Sequence, residues 1–201
     1  STHDYVLFFT NRGKMYRMKG YEIPETGRAA RGSHVVNLLP IEKDEKISAM
    51  IRVDEVENDS YLVMVTRNGT IKRTAMSARA ALSPNLEEGD ELAWVRNTTG
   101  EDDLIIATRQ GVAIRFAESD VRPMGRTATG VRAIRLDEGD EVIALATCEE
   151  GGYLLTVTEN GQGRRTALGE YRTQNRGGRG VRNYDCEGKG TLVAGVRVVG
   201  E

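Results

Sequence analysis

The stretch YLVMVTRNGTIKR, residues 61–73, contains the pattern from which the fold can be predicted: an apolar run, an Asn-Gly turn and a second β-prone run. Asn68-Gly69 between two such runs is a strong β-hairpin signal, because asparagine and glycine accept the positive φ angles of tight turns. The run before the turn is apolar at consecutive positions rather than alternate ones. We therefore expect a hairpin whose first strand is buried on both faces.

The same pattern occurs four times along the 201 residues. The turn glycines are Gly13, Gly69, Gly111 and Gly161, with spacings of 56, 42 and 50 residues. In every copy a threonine stands three residues before the glycine and an arginine four residues after it. These arginines are Arg17, Arg73, Arg115 and Arg165. A period of 40–50 residues built from short strands is typical of propeller blades.

Two further blocks recur within the unit. A loop glycine follows the turn glycine by nineteen residues in three copies, at Gly32, Gly130 and Gly180, and an arginine precedes each loop glycine by four residues. The second copy lacks this block, which explains its shorter length. An acidic block, at 42–46, 87–91 and 138–141, then leads into another short strand. The sequence predicts an all-β, propeller-like fold with about four strands per unit, divided into blades at about 1–57, 58–100, 101–149 and 150–201.

Composition excludes several classes of function. Two cysteines and two histidines are too few for a disulfide framework or a zinc site, so we expect no metal. The usual phosphate-loop, zinc-protease and serine-hydrolase motifs do not occur, so we predict no cofactor and no catalytic residues. Neither a signal peptide nor a membrane-spanning run is visible, and we expect a cytoplasmic protein. The first residue, Ser1, suggests that the gene product begins upstream.

Charge is distributed in a pattern that the net value of −2 hides. Segments of positive and negative sign alternate with the repeat, and arginine outnumbers lysine 22 to 6. Arginine can grip phosphate with two hydrogen bonds, and neighbouring glycines allow close backbone approach. One loop arginine per blade would form a basic belt that attracts a polyanion. The candidate nucleic-acid contacts are Arg28, Arg31, Arg126, Arg132, Arg176, Arg179 and Arg182 in loops, and Arg17, Arg73, Arg115 and Arg165 in strands.

The strand arginines have a second interpretation, since they could form salt bridges between neighbouring blades. The loops contain few aromatic residues for base stacking, and no recognition helix is predicted. We therefore expect contact with the backbone of duplex DNA, together with bending, rather than base reading or single-strand binding.

One loop carries a family resemblance. The sequence QNRGGRG, residues 174–180, resembles the box of the C-terminal domain of DNA gyrase A, and residues 21–40 and 124–136 are also similar. Asn175 and Arg179 depart from the residues usual in that box. The resemblance adds Gln174, Gly177, Gly178 and Gly180 to the candidate DNA contacts. It implies a six-bladed β-pinwheel, of which this chain would form the second to fifth blades.

The resemblance also implies a function. The family domain wraps duplex DNA around its outer edge, in support of negative supercoiling. The expected partners are duplex DNA, the rest of gyrase A, and gyrase B, in an ATP-dependent type II topoisomerase associated with the nucleoid. Two alternatives remain: the corresponding C-terminal domain of topoisomerase IV, and a propeller module that binds an acidic protein.

Overall fold

The computed structural model describes residues 4–53, 59–78 and 84–200. Their strands form four antiparallel sheets. The strands are β1 (Tyr5–Thr10), β2 (Met15–Lys19), β3 (Ile47–Val53), β4 (Tyr61–Thr66), β5 (Thr70–Ala75), β6 (Leu92–Thr98), β7 (Asp103–Thr108), β8 (Val112–Ala117), β9 (Val131–Arg132), β10 (Val142–Thr147), β11 (Tyr153–Thr158), β12 (Gly163–Ala167), β13 (Val181–Arg182) and β14 (Val193–Val199). Short 3-10 turns lie at Gly20–Glu22, Val35–Asn37, Glu118–Asp120 and Leu168–Glu170, and one helix, α1, spans Cys186–Lys189. The prediction of an all-β fold is confirmed.

Each repeat contributes its hairpin and one later strand to its own sheet. The orders are β2-β1-β3, β6-β4-β5-β9, β10-β7-β8-β13 and β12-β11-β14. One edge strand of each sheet contacts the equivalent strand of the next sheet: β3 contacts β6, β6 contacts β10 and β10 contacts β14. The sheets are therefore arranged side by side. Apolar clusters fill the spaces between neighbouring sheets.

The repeated threonine closes each hairpin turn. Its hydroxyl oxygen accepts a hydrogen bond from the backbone N–H of the residue after the turn glycine, at 3.1–3.2 Å in all four repeats. The glycines themselves have φ between +77° and +90°. Glycine is favoured at such angles because it has no Cβ. Local chemistry thus determines all four hairpins.

The outermost strand of two sheets comes from the following repeat, which the sequence did not indicate. β9 of the third repeat pairs with β5, and β13 of the fourth repeat pairs with β8. Loop glycines make this approach possible: a Cβ at Gly130 would lie 2.5 Å from the carbonyl oxygen of Ile71. The repeats therefore interlock, and the division into blades at the bounds given above stays a prediction.

Burial of the hairpin strands agrees with the apolar runs in three repeats. The last four residues of β1 and the last five of β4 and β7 are buried. β11 instead alternates, with Val157 37% exposed. Among the described residues, no further sheet covers the face of β11 that carries Val157.

Candidate nucleic-acid interface

Arginines at the hairpin turns are neutralised by the acidic blocks. Arg67 lies 3.0 Å from Glu91 of its own repeat and 3.4 Å from Glu141 of the next. Arg109 pairs in the same way with Glu141 and, across repeats, with Glu159. These glutamates therefore meet basic partners at the turns, both within a repeat and across to the next.

The arginines of the long loops are in a different environment. Arg28, Arg31, Arg126, Arg132, Arg179 and Arg182 are exposed, and none forms an ion pair within the described parts of the chain. Exposed arginines outside ion pairs raise the local potential and attract anions. Acidic side chains are nonetheless near, since Asp137 and Glu159 line the same cleft as Arg179 and Arg182. The separation of basic loops from acidic turns stays a prediction.

Three exposed arginines that the sequence analysis missed extend this surface. Arg122 and Arg172 each follow a turn glycine by eleven residues, and Arg135 follows β9. The equal spacing of Arg122 and Arg172 is a signal that could have identified them. We define the loop surface as the exposed arginines between the hairpin and the last strand of the third and fourth repeats: Arg122, Arg126, Arg132, Arg135, Arg172, Arg179 and Arg182.

The strand arginines pack against the first residue of the neighbouring strand. The guanidinium carbon lies 3.5 Å from the ring centroid of Tyr5 for Arg17, and 4.4 Å from that of Tyr153 for Arg165. The third repeat has Asp103 in place of this tyrosine, and there Arg115 forms an ion pair at 2.8 Å. Arg115 also donates to the carbonyl oxygen of Leu168 in the fourth repeat. Arg17 and Arg165 are nevertheless exposed.

Arg73 is an interior residue, so its predicted contact with nucleic acid is not supported. Only 6% of it is exposed, and its guanidinium lies between the ring of Tyr61 and the fully buried carboxylate of Glu118, which is 3.5 Å away. Glu118 also accepts hydrogen bonds from the Thr98 hydroxyl and from the backbone N–H groups of Gly100 and Asp102. For Arg73 the inter-blade salt bridge is the correct interpretation.

The box at residues 174–180 docks onto the third repeat. The N–H of Gln174 donates to the carbonyl oxygen of Arg115, and the N–H of Gly177 donates to that of Ala133. A Cβ at Gly180 would collide with the backbone of Ala113, and Gly178 accepts a hydrogen bond from the N–H of Arg135. The box glycines predicted to contact DNA thus pack closely on the third repeat, Gly177 beside Arg132 and Gly180 against β8.

Within the box, the two arginines differ. Arg179 is exposed, whereas Arg176 is half-buried and donates from Nε to the carbonyl oxygen of Asp120 and from Nη1 to that of Arg132, both at 3.0 Å. The loops of the third and fourth repeats are therefore in direct contact. That their exposed arginines lie on one continuous surface stays a prediction.

Other kinds of site find little support. The described residues contain no group of three or more His, Cys, Asp or Glu side chains that could hold a metal ion. Cys148 and Cys186 are free thiols, and burial raises the pKa of Cys148 to about 11, which disfavours a nucleophilic role. Trp94 packs against an apolar core. Across the described ranges, no helix is long and apolar enough to span a membrane.

Comparison with known proteins shows similarity to DNA gyrase A over the whole chain. The chain is 49% identical to the DNA gyrase A protein of Clostridium acetobutylicum over 99% of its length, and 46% identical to that of Staphylococcus aureus over all of it. It spans 25% and 24% of those two proteins.

Two solved structures share the fold. The C-terminal domain of DNA topoisomerase IV has a TM-score of 0.88 at 29% identity, covering 98% of this chain and 64% of that one. The DNA gyrase A C-terminal domain has a TM-score of 0.82 at 26% identity, covering 100% of this chain and 67% of that one. The family model for the DNA gyrase C-terminal domain, a β-propeller, matches residues 4–54, 60–78, 102–149 and 152–199, and this chain belongs to that family.

Proposed function

We propose that this chain binds duplex DNA through its phosphates, without sequence preference, and bends it around the loop surface. The observation that carries the proposal is the set of exposed loop arginines that form no ion pair among the described residues, on two loops in direct contact. Arginine forms charge-assisted hydrogen bonds with phosphate, each of roughly 1.5–3 kcal/mol. Several such contacts can offset the cost of bending a short duplex by 40–90°, about 1–6 kcal/mol.

The biological role that we propose is that of the C-terminal part of DNA gyrase A. The chain would hold DNA for negative supercoiling, while the rest of gyrase A, together with gyrase B, carries out ATP-dependent strand passage. The chain itself would have no catalytic role, and we infer a cytoplasmic, nucleoid-associated location. The gyrase A relatives, at 46–49% identity, support this assignment.

The corresponding C-terminal domain of topoisomerase IV is the second candidate. The TM-score of 0.88 with that domain favours it on shape, but the sequence identity is only 29%. The gyrase relatives are closer in sequence over the whole chain, so we place gyrase first.

The test is a salt-titrated fluorescence-anisotropy measurement on a duplex of ~40 base pairs. Each phosphate contact contributes about −0.9 to the slope of log K against log salt concentration. The triple variant Arg132→Gln, Arg179→Gln and Arg182→Gln should bind more weakly, and its slope should be about 2.7 less steep.

The matched control removes charge at an acidic turn. Asp137 and Glu138 are exposed, whereas the Asp140 carboxylate accepts hydrogen bonds from the N–H groups of Gln110 and Glu141 and is kept. Asp137→Asn with Glu138→Gln should not weaken binding. Equal affinity of wild type and the arginine variant, or a flat salt response, would contradict the proposal and favour an acidic protein partner.

A further inference from the structure

Arg176 lies in the box, yet its guanidinium donates hydrogen bonds to backbone carbonyl oxygens of the third repeat. We propose that Arg176 is a positioning residue that fastens the loop of the fourth repeat to the loop of the third. The arginines on the two loops then face DNA in a fixed register. This inference rests on the proposed function, because the register matters only if the loop surface holds DNA.

The contacts of the Arg176 guanidinium support this role. We call its two hydrogen bonds, to the carbonyl oxygens of Asp120 and Arg132, the clamp. Nε and Nη1 donate to two carbonyl oxygens on different segments of the third repeat, Asp120 at the end of a 3-10 turn and Arg132 in β9. Both distances are 3.0 Å. Arginine suits this geometry because its planar group presents several donors in fixed directions, whereas a lysine ammonium acts as a point charge.

Backbone hydrogen bonds beside the clamp join the same two loops. The N–H of Gly177 donates to the carbonyl oxygen of Ala133 at 2.6 Å, and the N–H of Arg135 donates to that of Gly178 at 2.8 Å. A Cβ at Gly177, where φ is +81°, would lie 3.3 Å from the carbonyl oxygen of Arg132. The Arg-Gly-Gly sequence at 176–178 thus fits a loop-to-loop joint.

The other repeats show when the clamp forms. Arg126 occupies the same place, four residues before its loop glycine, but it is exposed and forms no such bonds within the described residues. The second repeat lacks the long loop that would supply a carbonyl oxygen equivalent to that of Arg132. A clamp therefore requires a complete loop in the preceding repeat. This makes the third and fourth repeats a pre-aligned pair.

The clamp and a phosphate contact predict different results when Arg176 is replaced. A clamp holds the loops in the binding conformation, so its loss requires DNA to order them and lowers affinity without removing a phosphate contact. We expect both Arg176→Gln and Arg176→Lys to weaken binding to the ~40-base-pair duplex by roughly five- to tenfold, with an unchanged salt slope. Lysine should not restore wild-type affinity, because it keeps the positive charge but lacks the planar group that donates two hydrogen bonds in fixed directions.

Arg179 is the matched control in the same box. Arg179→Gln should make the salt slope about 0.9 less steep, and Arg179→Lys should restore most of it. If Arg176 shows this pattern instead, with rescue by lysine and a reduced slope, it contacts phosphate and the clamp is refuted. An unchanged affinity of the Arg176 variants would also refute it, since the joint would then have no part in binding.

Amide hydrogen exchange without DNA tests the joint independently. The N–H groups of Gly177 and Arg135 should exchange at least tenfold faster in both Arg176 variants and at the wild-type rate in both Arg179 variants. Unchanged exchange in the Arg176 variants would overturn the proposal whatever the DNA result. If wild type itself fails to bind DNA, the proposed function fails, and exchange still reports on the clamp.

Discussion

One arginine position, four residues after each turn glycine, has three different environments in the four repeats. Arg17 and Arg165 lie exposed over tyrosine rings, Arg115 bridges Asp103 and the next repeat, and Arg73 is buried against Glu118. All four copies share the threonine, the turn glycine and this arginine. The environment of each arginine is decided by residues that are distant along the chain, such as Glu118, 45 residues after Arg73.

The Arg73–Glu118 pair should be a large single contributor to stability. Glu118→Ala leaves a buried guanidinium without its counter-charge and removes the acceptor of two backbone N–H groups. Breaking a buried pair by removing one partner costs about 3–5 kcal/mol. We expect a loss of this size in the free energy of unfolding, measured by urea denaturation.

A nearby residue provides the control for that measurement. Asp120 lies on the same 3-10 turn as Glu118, but it is exposed. Asp120→Ala should change stability by less than about 0.5 kcal/mol, as surface substitutions usually do. If Glu118→Ala is equally mild, the buried pair is not a structural element of the interface between sheets.

Among the secondary-structure elements, the hairpin turns also support the next repeat. The turn at Gly111 is covered by the backbone of Tyr184, which a Cβ at Gly111 would strike, while a Cβ at Gly161 would meet nothing within 4 Å. Both glycines have positive φ, +90° and +82°. The pair therefore separates the cost of the backbone angle from the cost of the collision.

Substitution of these two glycines should give unequal losses. Gly161→Ala should cost about 1–2 kcal/mol, the penalty of a left-handed angle for an L-residue. Gly111→Ala should cost at least about 2 kcal/mol more, because the docked segment of the fourth repeat must shift. Urea denaturation of both variants gives the difference, and equal losses would show that docking on the turn contributes nothing.

The elements also show what could be predicted from the sequence. Asn68-Gly69 and the threonine before it determine a hairpin through local dihedral angles and one local hydrogen bond, so all four hairpins could be located. β9 and β13 contain two residues each, too few for any periodicity, and their partners β5 and β8 belong to another repeat. The strand exchange, and with it the docked position of the box, depends on these non-local contacts.

For the whole molecule, ion pairs at the hairpin turns link successive repeats. Glu91, Arg67, Glu141, Arg109 and Glu159 form a chain of alternating charges that crosses three repeats at the hairpin turns. Each of these exposed pairs contributes little to stability, typically below about 1 kcal/mol. Their effect is to occupy the turn arginines and these acids with one another, while the loop arginines form no ion pair among the described residues. A chain with net charge −2 therefore keeps exposed arginines available to DNA.

The separation of the loops makes binding depend on the length of the DNA. The loops of the third and fourth repeats are joined, whereas the exposed segment of the first repeat at 21–34 has no hydrogen bond to them among the described residues. A duplex of ~12 base pairs, about 40 Å long, should engage the joined loops alone. One of ~40 base pairs should also reach Arg28 and Arg31.

Salt titration with the two duplexes tests this arrangement. The slope of log K against log salt should be steeper for the ~40-base-pair duplex, by about 0.9 for each added phosphate contact. Arg28→Gln with Arg31→Gln should make the slope less steep only for the long duplex, because the short one does not reach the first repeat. Arg132→Gln with Arg182→Gln should make the slope less steep for both duplexes, because these residues lie on the joined loops. Equal slopes for the two lengths would mean that DNA contacts one loop cluster without following the repeats, and bending around the molecule would then have no basis.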